Sequence, residues 1–143
     1  MGLNQSSNSS HSEDSSGTTV EYLDSLAAFN ATLDQCKKEG KLLVIDYTAS
    51  WCGPCQYIAP IYEAMSNHKK FKDKVVFMKV DSDTGVDVLR ANNIRCFPTF
   101  KIYRDGAEVN ELRGANQEKL DAFVSKEMEQ TTMVSPALVT ANA

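Results

Sequence analysis

Cys52 and Cys55 stand three positions apart, with Gly53 and Pro54 between them and Trp51 in front. Two thiols at that spacing have two chemistries open to them. They can form and break a disulfide with each other, or they can supply half of a tetrahedral zinc site. Zinc needs two more ligands, and Cys36, Cys96 and His68 form no second pair of that spacing. Thiol–disulfide exchange needs only the pair itself. One thiolate attacks a substrate disulfide, a mixed disulfide forms, and a second thiol attacks to release the reduced substrate. Cys52 suits the first role and Cys55 the second. Cys55 then needs a base, and Asp46 is the candidate, six residues before Cys52 in an otherwise apolar run. Burial raises a carboxyl pKa and makes it a proton acceptor near neutral pH. The alternative is an acid at a polar edge that merely ends the strand.

The elements that must position these groups are legible on either side. Leu42-Leu43-Val44-Ile45-Asp46-Tyr47 precedes the motif, and Ile58, Ile61, Tyr62 and Met65 follow it on one helical face. The cysteines therefore fall where a buried strand ends and a helix begins. The first turn of a helix carries unpaired N–H groups and the positive end of the dipole, and both favour a thiolate at Cys52. Cys55 lies one turn on, nearer the interior, and residues i and i+3 share a helix face, so the two sulfurs can bond with little backbone movement.

At 143 residues the chain is long enough for one domain with tails, placed at 18–130. Its net charge of −4 gives no sign of nucleic-acid binding or of a basic membrane patch. It has no run of about eighteen apolar residues that could span a bilayer. The N-terminus is polar, so no secretory signal is expected and the location expected is cytoplasmic. Four cysteines without a signal read as a redox motif rather than a disulfide framework. The Asn-x-Ser/Thr triplets at Asn4, Asn8 and Asn30 are then chance matches. Residues 1–17 are Ser-, Asn- and Gln-rich, a composition that predicts disorder. Met1-Gly2-Leu3-Asn4-Gln5-Ser6 fits the N-myristoylation signal at Gly2. One acyl chain holds a membrane weakly, and no cysteine or basic cluster stands nearby in the sequence, so any attachment would be reversible. Residues 131–143 carry no charge and contain Pro136, which predicts a loose tail.

Taken in order, Val20–Leu23 is a short strand, and Asp24 or Ser25 can cap a helix with the stripe Leu26, Phe29, Leu33 and Cys36, stopped by Gly40. Cys36 on that stripe reads as a small buried hydrophobe. A central strand spans Lys41 to Thr48, and the motif helix runs to about Lys69 with a kink expected at Pro60. Val75–Asp81 is a third strand, followed by a short helix from about Gly85 to Ala91. Ile94–Phe100 leads into a fourth strand, which Pro98 must start or bend because it lacks an N–H. Asp105-Gly106 turns the chain into a fifth strand that Gly114 ends. Leu120, Phe123, Val124 and Met128 mark a last amphipathic helix. The order β-α-β-α-β-α-β-β-α predicts an α/β fold, a mixed central sheet with helices on both faces.

Trp51-Cys52-Gly53-Pro54-Cys55, Asp46, Arg95-Cys96-Phe97-Pro98-Thr99-Phe100, the Asp105-Gly106 turn and Gly114 together resemble the thioredoxin family over roughly Val20 to Met128. The resemblance implies the thioredoxin fold, a five-stranded mixed sheet flanked by four helices, with Pro98 cis and facing the cysteines. It implies a backbone edge at Phe97 where a substrate peptide pairs, and a flat contact surface of Trp51, Gly53, Pro54, Phe97, Gly114 and Ala115. It also implies the activity, protein-disulfide reduction without a bound cofactor. Its partners would be disulfide-containing proteins and a flavoprotein thioredoxin reductase that draws on NADPH. Two positions depart from the pattern. Bacterial members carry a lysine beside the buried acid, and the matching position here looks like Phe77, which leaves fewer charges around Asp46. Cys96, two residues before Pro98, is either an inert rim side chain or a regulatory thiol. The expected state is a monomer, with a disulfide-linked dimer as the product of a reactive Cys96. An oxidase or isomerase of the secretory pathway fits less well, because such members usually carry Gly-His between the cysteines. A tethered binding module that uses the fold as a scaffold is the remaining alternative.

Overall fold

The computed structural model describes residues 19–133. The expectations for residues 1–17, Gly2 included, and for 134–143 lie outside the described residues. The elements follow the order β1 (Glu21–Tyr22), α1 (Leu26–Glu39), β2 (Leu42–Thr48), α2 (Gly53–Ser66), β3 (Val75–Asp81), α3 (Val86–Ala91), β4 (Thr99–Arg104), β5 (Ala107–Arg113) and α4 (Gln117–Met133). One five-stranded sheet has the order β1-β3-β2-β4-β5. β1, β3 and β2 are parallel, while β4 runs antiparallel to both β2 and β5.

The central strand shows why its sequence is apolar throughout. All seven residues of β2 are buried, and successive side chains point to opposite faces. Leu42 and Val44 enter one core with Ile58, Tyr62, Phe100, Leu120 and Val124, under α2 and α4. Leu43, Ile45 and Tyr47 enter a second core with Phe29, Cys36, Val88 and Tyr103, under α1 and α3. Asp46 shares the parity of Leu42 and Val44, so it belongs to the face covered by the motif helix.

Local chemistry sets the element ends. The Ser25 hydroxyl accepts the Ala28 N–H at 3.0 Å and caps α1. Gly40 closes that helix at φ 68°. Asp105 and Gly106 take φ 55° and 84°, the pair of positive values that a two-residue hairpin turn requires. Two boundaries differ from the sequence expectation by more than one residue. α2 stops at Ser66 rather than near Lys69, because Phe71 buries itself in the larger core and the chain turns through 67–74 to place it there. α4 continues to Met133, since neither Thr131 nor Thr132 interrupts a helix as Gly or Pro would. α2 runs unbroken through Pro60, whose missing N–H leaves one helical hydrogen bond unmade.

Candidate active site

Strand β2 delivers the chain to Ala49, and the cysteines follow at the start of α2. Cys52 is the N-cap, extended at φ −97° and ψ 115°. Its Sγ accepts the Cys55 N–H at 3.2 Å, and its carbonyl accepts the Gln56 N–H that opens the helix. The sulfur therefore occupies the place where an N-cap side chain meets the orphan donors, the place most favourable to negative charge. Cys52 and Cys55 form a disulfide with their Cα atoms 5.3 Å apart. Cys52 is 6% exposed and Cys55 only 2%, so Cys52 is the sulfur nearer to an incoming substrate.

The Phe97–Pro98 bond is cis. Phe97 packs against Ala49, Cys52 and Cys55, and its carbonyl oxygen stands 3.7 Å from Cys52 Sγ. The Gly114 N–H donates to the Pro98 carbonyl at 3.0 Å, which draws Gly114 beside the proline. Among the described residues no backbone hydrogen bond uses the Phe97 amide or carbonyl. Trp51 is 71% exposed and meets Phe97 edge-on at 5.7 Å. Gly53, Pro54 and Gly114 are exposed, and nothing stands within 4 Å of where a Cβ on Gly53 or Gly114 would be. Ala115 is half-buried and packs on the larger core. An open, mostly apolar rim thus surrounds the sulfurs, with one unpaired stretch of backbone at Phe97.

Asp46 lies beneath this rim, 1% exposed, with its Oδ1 unpartnered among the described residues. Burial pushes its pKa from 3.8 up to about 7, opposed by the positive charge of Lys79. The acid faces α2. Tyr62 of that helix donates to the carbonyls of Val44 and Met78 at 3.0 and 2.9 Å, and its hydroxyl feels the Asp46 charge. Cys55, Ile58 and Tyr62 share the buried face of α2, so Asp46 and Cys55 meet the same interior.

Lys79 corrects the expectation that Phe77 replaces the lysine beside the acid. The parallel register sets Val44 opposite Phe77 and Asp46 opposite Lys79. Val75, Phe77 and Lys79 share one face of β3, and Lys79 is 8% exposed, its ammonium 5.1 Å from the ring of Tyr22. The signal was a lone cation on the buried parity of an apolar strand. The other two thiols are free. Cys36 is 4% exposed, and burial pushes its thiol pKa up. Cys96 is exposed, with its sulfur 3.6 Å from the Thr99 hydroxyl. Among the described residues no cluster of three or more His, Cys, Asp or Glu could hold a metal ion.

The thioredoxin family model matches residues 21–126. The chain is 46% identical to a thioredoxin H-type of Chlamydomonas reinhardtii over 110 residues, covering 77% of this chain and 96% of that protein. It is 38% identical to the thioredoxin of Homo sapiens over 107 residues, covering 75% and 97%. Among solved structures, a Plasmodium falciparum thioredoxin superposes with a TM-score of 0.67 at 39% identity, covering 75% of this chain and 98% of the other. A poplar thioredoxin h mutant superposes with a TM-score of 0.74 at 27% identity, covering 85% and 90%.

Proposed function

This chain belongs to the thioredoxin family, and on that premise we propose how each residue of its site serves disulfide reduction, which reductant restores it and where it works. The activity is dithiol–disulfide exchange through Cys52 and Cys55. The observation that carries the assignment of roles is Cys52 at the N-cap, with its sulfur on the Cys55 N–H. In the reduced protein the Cys52 thiolate attacks one sulfur of a substrate disulfide. A Cys52–substrate bond forms as the substrate S–S bond breaks, and the other substrate sulfur leaves as a thiolate. Cys55 gives its proton to the Asp46 carboxylate and attacks the Cys52 sulfur. The Cys52–Cys55 bond forms, the second substrate sulfur leaves, and two electrons have passed to the substrate. The substrate's extended backbone pairs with the free edge at Phe97, beside Pro98. Trp51, Gly53, Pro54 and Gly114 form the contact surface, with Ala115 filling in beneath its rim.

The electron donor is a thioredoxin reductase that uses NADPH, and the protein carries no bound cofactor of its own. The location is the cytoplasm. Two features support that reading: Cys36 and Cys96 are free thiols, and Cys96 is exposed, as a reducing compartment allows. Gly2 takes a myristoyl chain, a reading that rests on the sequence pattern alone. The protein is a monomer whose exposed Cys96 is the site available for a regulatory or intermolecular disulfide. Insulin reduction supported by NADPH and a eukaryotic thioredoxin reductase tests the electron donor. Turnover that depends on the added reductase is expected. Reduction with dithiothreitol but none with the reductase would retire that partner and leave the exchange chemistry standing.

A further inference from the structure

The net charge of −4 conceals a segregated basic surface. Seven of the 15 Lys and Arg fall in two short segments, 37–41 and 67–74, whose only acids are Glu39 and Asp73. The fold brings the segments together at one end of the sheet. The Leu42 N–H donates to the Lys74 carbonyl at 3.1 Å, and β2 and β3 both start there, Leu42 opposite Val75. Lys37 lies against the β4–β5 turn at Gly106. All of these lysines except Lys41 are exposed. Lys38, Lys41 and Lys70 pair with Asp34, Glu39 and Asp121 at 3.2, 3.3 and 2.9 Å. Lys37, Lys69, Lys72 and Lys74 have no ion-pair partner among the described residues.

The described residues begin at this same pole. Thr19 lines one cavity with Ser66 and Val75, the residues that flank segment 67–74. The Val20 N–H donates to both carboxylate oxygens of Glu63 at 3.2 Å, which fixes the exit on α2. Sixteen residues, 3–18, join Gly2 to Thr19. An acyl group on Gly2 is therefore joined to the fold at the end that carries the lysines. We propose that this lysine pole is a docking surface for the anionic headgroups of a bilayer, and that it supplies the second membrane signal missing beside Gly2. Each lysine near an anionic leaflet raises partition about fivefold, whereas a single myristoyl chain binds only marginally. β2 separates the pole from the redox motif by about 20 Å, so a docked molecule presents Trp51 and Cys52 away from the membrane. The proposal rests on Gly2 acylation for the strength of attachment and not for the existence of the surface.

The test is co-sedimentation of the full chain with vesicles of phosphatidylcholine alone or mixed with phosphatidylserine. It is run unmodified and after treatment with an N-myristoyltransferase, with intact mass reporting the modification. Both forms are expected to prefer the phosphatidylserine vesicles, and high salt should remove the preference. Lys69→Glu/Lys72→Glu should lower partition by about tenfold or more, while the charge-matched Arg90→Glu/Lys119→Glu retains most of it. Insulin reduction by both variants confirms that each is folded. Equal losses in the two variants, or equal binding of the wild type to both kinds of vesicle, would overturn the proposal. An unmodified mass would remove the Gly2 reading alone, because the unacylated arm still decides the pole.

Discussion

Cys52→Ser should lower insulin reduction by on the order of a thousandfold or more, with the fold intact. The sulfur at the helix N-cap is the group that attacks. A hydroxyl in its place accepts the same Cys55 N–H but does not ionise near neutral pH, so the local structure survives while the nucleophile is lost. Cys52 is buried only to 6% exposure and touches Ala49 and Phe97, and serine is close to it in volume. The check is initial rate with dithiothreitol as reductant, alongside circular dichroism of both proteins. Retained activity would move the attacking thiol elsewhere, and Cys96 is the exposed candidate.

Asp46→Asn should act on stability and rate in opposite directions. The native carboxyl holds its proton up to about pH 7, whereas its unfolded value is 3.8. Between those values the unfolded state has released the proton and the native state has kept it, so stability falls as pH rises. The contribution is full below pH 3.8, declines between, and is gone above about 7. A shift of that size corresponds to on the order of 4 kcal/mol, and asparagine, which does not titrate, keeps it. Denaturant unfolding of the oxidised protein across this range should show the wild type losing stability toward pH 7 and the variant holding level. The gain for the variant should therefore be largest above pH 7 and absent near pH 4. The resolving step needs the carboxylate, so the variant should reduce insulin roughly a hundredfold more slowly, without the wild type's rise in rate through pH 7. A variant that gains stability yet keeps the full rate and pH profile would remove Asp46 as the base.

The two features behind these expectations differ in how they could be read from the chain. The motif and its position are local. A strand apolar on both faces, a Pro at the first helical turn and a stripe at Ile58, Tyr62 and Met65 place the cysteines without knowledge of the rest. The two-faced burial of β2 explains Asp46, since its parity with Val44 assigns it to the α2 face. The Asp105-Gly106 turn was equally legible, because both positions need positive φ. Register is not local. Whether Phe77 or Lys79 opposes Asp46 depends on how two parallel strands joined by a helix slide against each other, and a shift of two residues preserves every burial pattern. The end of α2 is not local either, since Phe71 is drawn out of the helix by a core built from distant elements. The lysine pole escapes sequence inspection for the same reason: its two halves are separated by β2 and α2.

The claim that Cys52 attacks and Cys55 resolves is tested most directly with Cys55→Ser. This variant is mixed with an oxidised protein substrate, quenched with acid and analysed by mass spectrometry under non-reducing conditions. The resolving thiol is gone, so a covalent complex joined through Cys52 should accumulate and dissolve on addition of dithiothreitol. No complex, or one joined through Cys96, would contradict the assignment.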